Sequence, residues 1–356
     1  MTSPYHDLPP EAFWRSGVAR TVAGSGHEAA LGGAMPLAEA LALSLPISAG
    51  AGIFVLGDAF AGALHRGLAA CGRSVEAEPP PDGFPPAVLK DFGWGQGAAR
   101  TGPLRSAREV AQLLAELSGR RAPRAAIREI APGQFIDSLR PGVEPAGFDS
   151  HAAAIEARAA HLAAISKALT SAEVVLLCLS SATCHEDPAH RSAHPPEAAA
   201  RIGGLVPARS TLSQIESELS SIWRDLRQLM DEPRLIMALS PAVEDGWPDG
   251  ARDRANLRIA MSRLATRGRR LAYLPLHEVL TAPGRLQDCL APDGRPTRAG
   301  LAEALHLVCG TAPLGLPQGG TASVPDSRTE GDGAESDDPL VCEELLYEAF
   351  APGGRA

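Results

Sequence analysis

Aromatic residues are scarce in this chain of 356 residues: Trp, Tyr and Phe together make up 4% of it. Its core must therefore be built from Ala, Leu, Val and Ile. Long apolar runs are missing too, and no stretch is long and clean enough to span a bilayer, so no membrane association is expected. Residues Met1 to Phe13 carry Asp7 and Glu11 where a signal peptide would have an apolar centre, and the expectation is a cytoplasmic protein. Basic charge is outnumbered, 33 Lys and Arg against 42 Asp and Glu, so no basic face argues for nucleic acid. The six cysteines form no CxxC pair, which speaks for reduced thiols and against a disulfide framework.

What is present is an ordinary globular balance, with 45% hydrophobic and 21% charged residues. Short apolar runs bounded by turn residues predict strands at Ile53–Leu56, Ser74–Ala77, Val174–Leu179, Arg234–Leu239 and Leu271–Leu274. Between them lie amphipathic stripes. Val110, Leu113, Leu114 and Leu117 share one face of a helix over Ala107–Leu117. Ile155, Leu162, Ile165 and Leu169 do so over His151–Leu169, and Leu212 through Leu229 do so over Thr211–Met230. Residues 254–266 and 298–309 are further helix candidates. Alternating strands and helices predict an α/β fold, a three-layer α/β/α sandwich around a mainly parallel, doubly wound sheet.

The composition divides the chain into an extended segment over 1–50, an α/β domain over 51–310, an acidic linker over 311–339 and a short helix or tail over 340–356. Between Asp326 and Glu348 nine acidic residues face one base, Arg328, so this segment carries −8 of the net −9. Gly, Pro, Ser and acids dominate the linker, a composition that reads as disorder. Leu340, Val341, Leu345, Leu346, Tyr347 and Phe350 beyond it suit either docking to a protein partner, through 340–350, or packing on the chain's own domain.

The run Ile53-Phe54-Val55-Leu56-Gly57-Asp58-Ala59-Phe60-Ala61 reads as a buried strand, a tight turn and a helix start. This block resembles the signature of the GSCFA domain, a branch of the SGNH/GDSL-like hydrolases, where the same place reads Gly-Ser-Cys-Phe-Ala. The opening segment Pro4-Tyr5-His6-Asp7-Leu8-Pro9-Pro10-Glu11-Ala12-Phe13-Trp14-Arg15 is similar to that family's Pro-Tyr-x-x-Leu-Pro-x-x-Ala-Phe-Trp-Arg. Gly102-Pro103-Leu104-Arg105-Ser106-Ala107-Arg108, His161-Leu162, Ser240-Pro241 and Tyr273-Leu274-Pro275 fit later blocks, and the resemblance runs from about Pro4 to Cys309.

The resemblance implies an SGNH-type scaffold whose reactive groups have changed. Asp58 stands where the family has its nucleophilic Ser. Pro103, with neither a side-chain donor nor an N–H, stands where an Asn is expected to help bind an oxyanion. Arg295 stands at the place of the C-terminal His, near Asp293. Nucleophile and base act as a unit, so losing both argues for a catalytically degenerate protein. Such a protein would bind a small molecule, a peptide or a protein partner in the old cleft, as an accessory subunit of a bacterial system. The expected cleft residues are Gly57, Asp58, Gly102, Pro103, Ser180, Ser181, His185 and Arg295. The alternative is an acyl-ester hydrolase or acyltransferase rewired around Asp58, Ser180 or Ser181, and His185 or His277.

Taken alone, Asp58 suits a helix N-cap as well as a nucleophile. Arg295 suits an ion pair with Asp58 or an anion-binding spot. Cys184, His185, Glu186, Asp187, His190 and His194 suit either a solvated loop or, with a spacing unlike known sites, a metal site; no metal and no cofactor are expected. The run Phe92-Gly93-Trp94-Gly95-Gln96-Gly97 lacks the Gly-Lys-Ser/Thr of a phosphate loop.

Overall fold

The computed structural model describes residues 47–309, apart from 49, 95–96, 123–125, 242–248, 283–285 and 292–293. The opening segment, Asp293, the acidic linker and the 340–356 tail lie outside the described residues.

Four strands, β1 (Ile53–Gly57), β4 (Val174–Leu179), β8 (Arg234–Leu239) and β9 (Leu271–Leu274), form a parallel sheet in the order β1-β4-β8-β9. β1, β4 and all of β8 but Arg234 are buried on both faces, which is why they read as continuous apolar runs, while Ala272 and Tyr273 of β9 are half-buried. Alternate residues serve two separate cores. Phe54, Leu56, Val175, Leu177, Leu235 and Met237 face one side. There they meet α3 (Ala107–Leu117), α4 (His151–Ser171), α6 (Leu212–Leu229) and α7 (Asp249–Ala265). Ile53, Val55, Val174, Leu176, Ile236 and Ala238 face the other side, against α1 (Ala59–Ala70), α8 (Leu276–Leu280) and α10 (Arg298–Cys309). The result is the expected α/β/α sandwich.

Local signals start the helices. Ser106 and Glu109 form a capping box on α3, Thr211 and Gln214 form one on α6, and Ser150 caps α4. Short helices α2 (Pro86–Asp91), α5 (Pro196–Ala199) and α9 (Leu286–Cys289) fill connections.

Two expectations change. Ser74–Ala77 is not a strand: Ser74 makes one parallel bridge to Ile53, and Ala77 turns away to donate to Ala98 O at 2.7 Å. Glu76 and the prolines beyond it leave too little apolar surface to extend an edge strand. The polar stretch around Cys184–His194 is not a loop. Thr183–Asp187 is β5, paired antiparallel with β6 (Ser192–His194) and β7 (Val206–Arg209). Cys184 and His194 are buried there, and Glu186 and Asp187 are met by Arg108 and Arg128, so charges that read as solvated are compensated within the fold. A hairpin of β2 (Ile127–Ala131) and β3 (Gln134–Asp137) completes the strands, turning at Pro132-Gly133.

Because Ser74 lies on one side of β1 and β4 on the other, strand order reverses beside β1. In open α/β sheets this switch point, at the carboxyl end, is where ligands bind.

Candidate functional site

β1 ends where it comes closest to β4. Gly57 has φ +146°, and a Cβ there would stand 2.0 Å from the Cys178 carbonyl oxygen. Only glycine fits. The next N–H, of Asp58, donates to that same oxygen at 3.2 Å, which fixes Asp58 on the sheet's carboxyl edge.

Asp58 is the N-cap of α1. Its Oδ1 accepts from Phe60 N at 3.1 Å and from Ala61 N at 3.2 Å. The residue is 2% exposed. Its Oδ2 completes no hydrogen bond among the described residues. Burial pushes the carboxyl pKa up; the Ser240 hydroxyl, the Ala61 N–H, the Ser180 hydroxyl and Arg105 pull it part of the way back. The Ser180 hydroxyl is near enough to act on Asp58, yet its Oγ also lacks a fully formed hydrogen bond.

The neighbouring strand ends supply the rest. After β4, Ser180 N and Ser181 N both donate to Arg105 O at 3.1 Å. After β8, Ser240 N donates to Leu179 O at 2.8 Å, and Ser240 is fully buried. After β9 comes His277, in α8. Burial and Arg254 lower its pKa, while Glu278 and the Ser240 backbone act the other way. Its Nδ1 is buried without a hydrogen bond.

Leu104 N donates to Gly57 O at 2.7 Å and so brings the Gly102–Ser106 segment onto the end of β1. Gly102 takes φ +69°, leading into Pro103. Arg105 then reaches away to Glu197 in a two-pronged pair, at 3.0 and 2.5 Å. His185, on β5, sits near enough to Glu197 to lower its pKa, and its own Nδ1 has no bond.

Beside this edge lies a cleft of ≈ 260 Å³. The Gly102-Pro103 turn forms one wall, Arg140 to Val143 another, and Glu197 and Arg201 a third. Beneath it runs a buried ionic network. Arg158 holds Glu116 at 2.6 Å and Asp137 at 3.2 Å, and Arg140 Nε donates to Asp137 at 2.9 Å. Burial disfavours a charged Asp137, but Arg158 and Arg140 outweigh it and hold the carboxyl well below its usual range. His161 hydrogen-bonds Glu78, and burial with Arg140 lowers its pKa to about 4.

The structure therefore gathers Gly57, Asp58, Ser180 and Ser181 at one edge, with Gly102 and Pro103 between that edge and the cleft. His185 stands near Glu197. Arg295 is exposed, on the turn behind the Leu290–Pro296 bridge, where its carbonyl accepts from Ala291 N at 2.8 Å. It is not among the groups that act most on the Asp58 carboxyl. His185 lies opposite His194 in the β5–β6 pair, but Ser192 takes up His194 Nε2 at 2.7 Å. Among the described residues no group of three or more His, Cys, Asp or Glu is placed to hold a metal ion.

Sequence reasoning missed Ser240, Arg105 and Arg140 as site residues. Ser240 had a signal, as a hydroxyl directly after a buried strand. Arg140 had none, because it reaches the cleft only through the packing of the β2–β3 hairpin.

Among the described residues no helix is long and apolar enough to cross a membrane. Comparison with curated proteins and with solved structures gave no match. The model of the GSCFA family matches residues 53–301, which spans β1, the cleft and the start of α10. Since that match covers most of the chain and the whole described site, the protein belongs to the GSCFA family.

Proposed function

We infer that this GSCFA protein is a catalytically degenerate member of SGNH-like descent. It acts by binding a small molecule, peptide or protein partner beside the former reaction centre, in an accessory role. One observation carries this reading. The carboxyl at the nucleophile's place is spent on capping α1 and is 2% exposed, so it cannot meet an incoming acyl group. Pro103 offers no N–H at the second expected position. The cleft remains open next to this sealed point. Incubation with p-nitrophenyl esters and a serine-reactive fluorophosphonate probe tests the reading. No turnover and no labelling are expected. Turnover lost on substituting Asp58, Ser180, Ser181, Ser240 or His277 would overturn it.

The second reading is an acyl-ester hydrolase or acyltransferase. The meeting of Asp58, Ser180, Ser240 and His277 at one sheet edge favours it. Against it stands the burial of every hydroxyl concerned: Ser180 is 4% exposed, Ser181 2% and Ser240 0%. The same probe separates the two, since only this reading expects a labelled serine.

A further inference from the structure

The cleft bordered by the Gly102-Pro103 turn has a buried arginine in its lining. Arg140 is 4% exposed and lines the cleft. Its Nε donates to Asp137 at 2.9 Å, and Nη1 stands 3.6 Å from Glu78, beyond hydrogen-bond range. Among the described residues its terminal nitrogens complete no hydrogen bond, and the residue lines the cleft. A buried guanidinium held at Nε by Asp137, with Nη1 only loosely ion-paired to Glu78 and no completed hydrogen bond at its terminal nitrogens, can still turn donors to a carboxylate.

Arg201 adds a second positive group to the lining. Arg201 donates to the carbonyls of Pro141 and Pro145, at 2.5 and 2.9 Å, so its hydrogen bonds leave its charge uncompensated. Glu197 is the acid in the lining, and Arg105 occupies both its oxygens. Glu78 is shared between Arg100 and Arg140, and Glu144 also acts on Arg100. Buried ion networks such as Arg158–Asp137–Arg140 rarely add stability over apolar packing, so holding Arg140 at a cleft floor gives this one a use. The walls are rigid and apolar, from Pro103, Pro141, Val143 and Pro195. At ≈ 260 Å³ the space falls below the roughly 300–1,000 Å³ of drug-sized sites.

Resting on the non-hydrolytic reading above, we propose that the cleft binds a small organic carboxylate. Its head is taken by the terminal nitrogens of Arg140 beside Arg201, and its short apolar body lies on Pro141, Val143 and Pro195. This narrows the ligand from peptide or protein to a small amphipathic acid.

The full chain is tested by thermal denaturation and calorimetry with sodium butyrate and, separately, inorganic phosphate at matched ionic strength. A saturable rise in Tm with butyrate, stronger than with phosphate, is expected. Arg140→Gln should weaken butyrate binding at least tenfold. Because Arg140 also supports the hairpin, Gly142→Trp provides the second variant. A Cβ at Gly142 meets no atom within 4 Å, so the indole fills the cleft without disturbing the backbone, and binding should vanish while the fold persists. No saturable response to butyrate, a preference for phosphate, or unchanged binding in Gly142→Trp overturns the proposal. Fluorophosphonate labelling would sink the non-hydrolytic reading while leaving carboxylate binding standing; absent labelling with absent binding does the reverse.

Discussion

The carbonyl oxygen of Cys178 lies 2.0 Å from where a Cβ on Gly57 would stand, and it accepts the N–H of Asp58 at 3.2 Å. One contact thus joins two central strands and fixes the residue that follows. Gly57→Ala forces either φ +146° on a residue with a Cβ or a shift of β1 away from β4. The expected result is a loss of more than about 3 kcal/mol in urea unfolding, or failure to accumulate as folded protein. A near-native midpoint would show that β1 can retreat without penalty.

Asp58 serves as a cap, and its replacements should rank accordingly. Asp58→Asn keeps an acceptor for Phe60 N and Ala61 N, so stability at neutral pH should stay within about 1 kcal/mol of the parent. Asp58→Ala removes the acceptor and should cost about 1–2 kcal/mol. Chemical denaturation of the two variants checks the order; the reverse order would contradict the capping role.

Arg158 is 1% exposed and holds both Glu116 and Asp137. Arg158→Met leaves two buried carboxylates facing each other and should cost about 3–5 kcal/mol. Adding Glu116→Gln should recover part of that loss, as a double-mutant cycle would read. Additive effects would mean the pair is not coupled.

Burial raises the Glu218 pKa to about 7, against the pull of Ser210 and Arg108. The folded state therefore holds its proton more tightly than the unfolded chain does. Its contribution is complete below the unfolded value of 4.5 and is lost as pH rises towards 7. Glu218→Gln should match the parent near pH 4 and exceed it at pH 8 by roughly 1–2 kcal/mol after allowance for solvent screening. His161 and His194 have opposite sign: burial lowers both to about 4, so their share of stability is lost as pH falls from 6.5. Urea midpoints across pH 4–8 would show a steeper rise with pH in the variant than in the parent; an unchanged slope would refute the assignment.

Much of the sandwich is legible in residue order. Val174–Leu179 and the apolar part of Arg234–Leu239 are continuous because both faces of a central parallel strand are buried; the bounds of both, and of the half-buried end strand Leu271–Leu274, match the structure. Ala107–Leu117 is marked by its capping box and its stripe. The three-stranded β5–β6–β7 sheet is not legible, since Thr183–Asp187 is polar and owes its burial to arginines far along the chain. Of the expected site, Asp58 at the sheet's edge follows from strand, glycine and cap. Ser240 beside it does not, because strand order rather than sequence distance makes them neighbours, and the approach of the candidate His277 to the Ser240 backbone is set the same way.

The order of residues by itself determined the layers, the helix starts and the presence of a carboxyl at position 58, since each is set by local periodicity, capping or identity. Only tertiary structure decided that this carboxyl is sealed, that Arg295 lies on an exposed turn, and that Arg140 lines a cleft. Exposure and hydrogen-bond completion depend on which distant segments close over a group, and no local pattern encodes that closure.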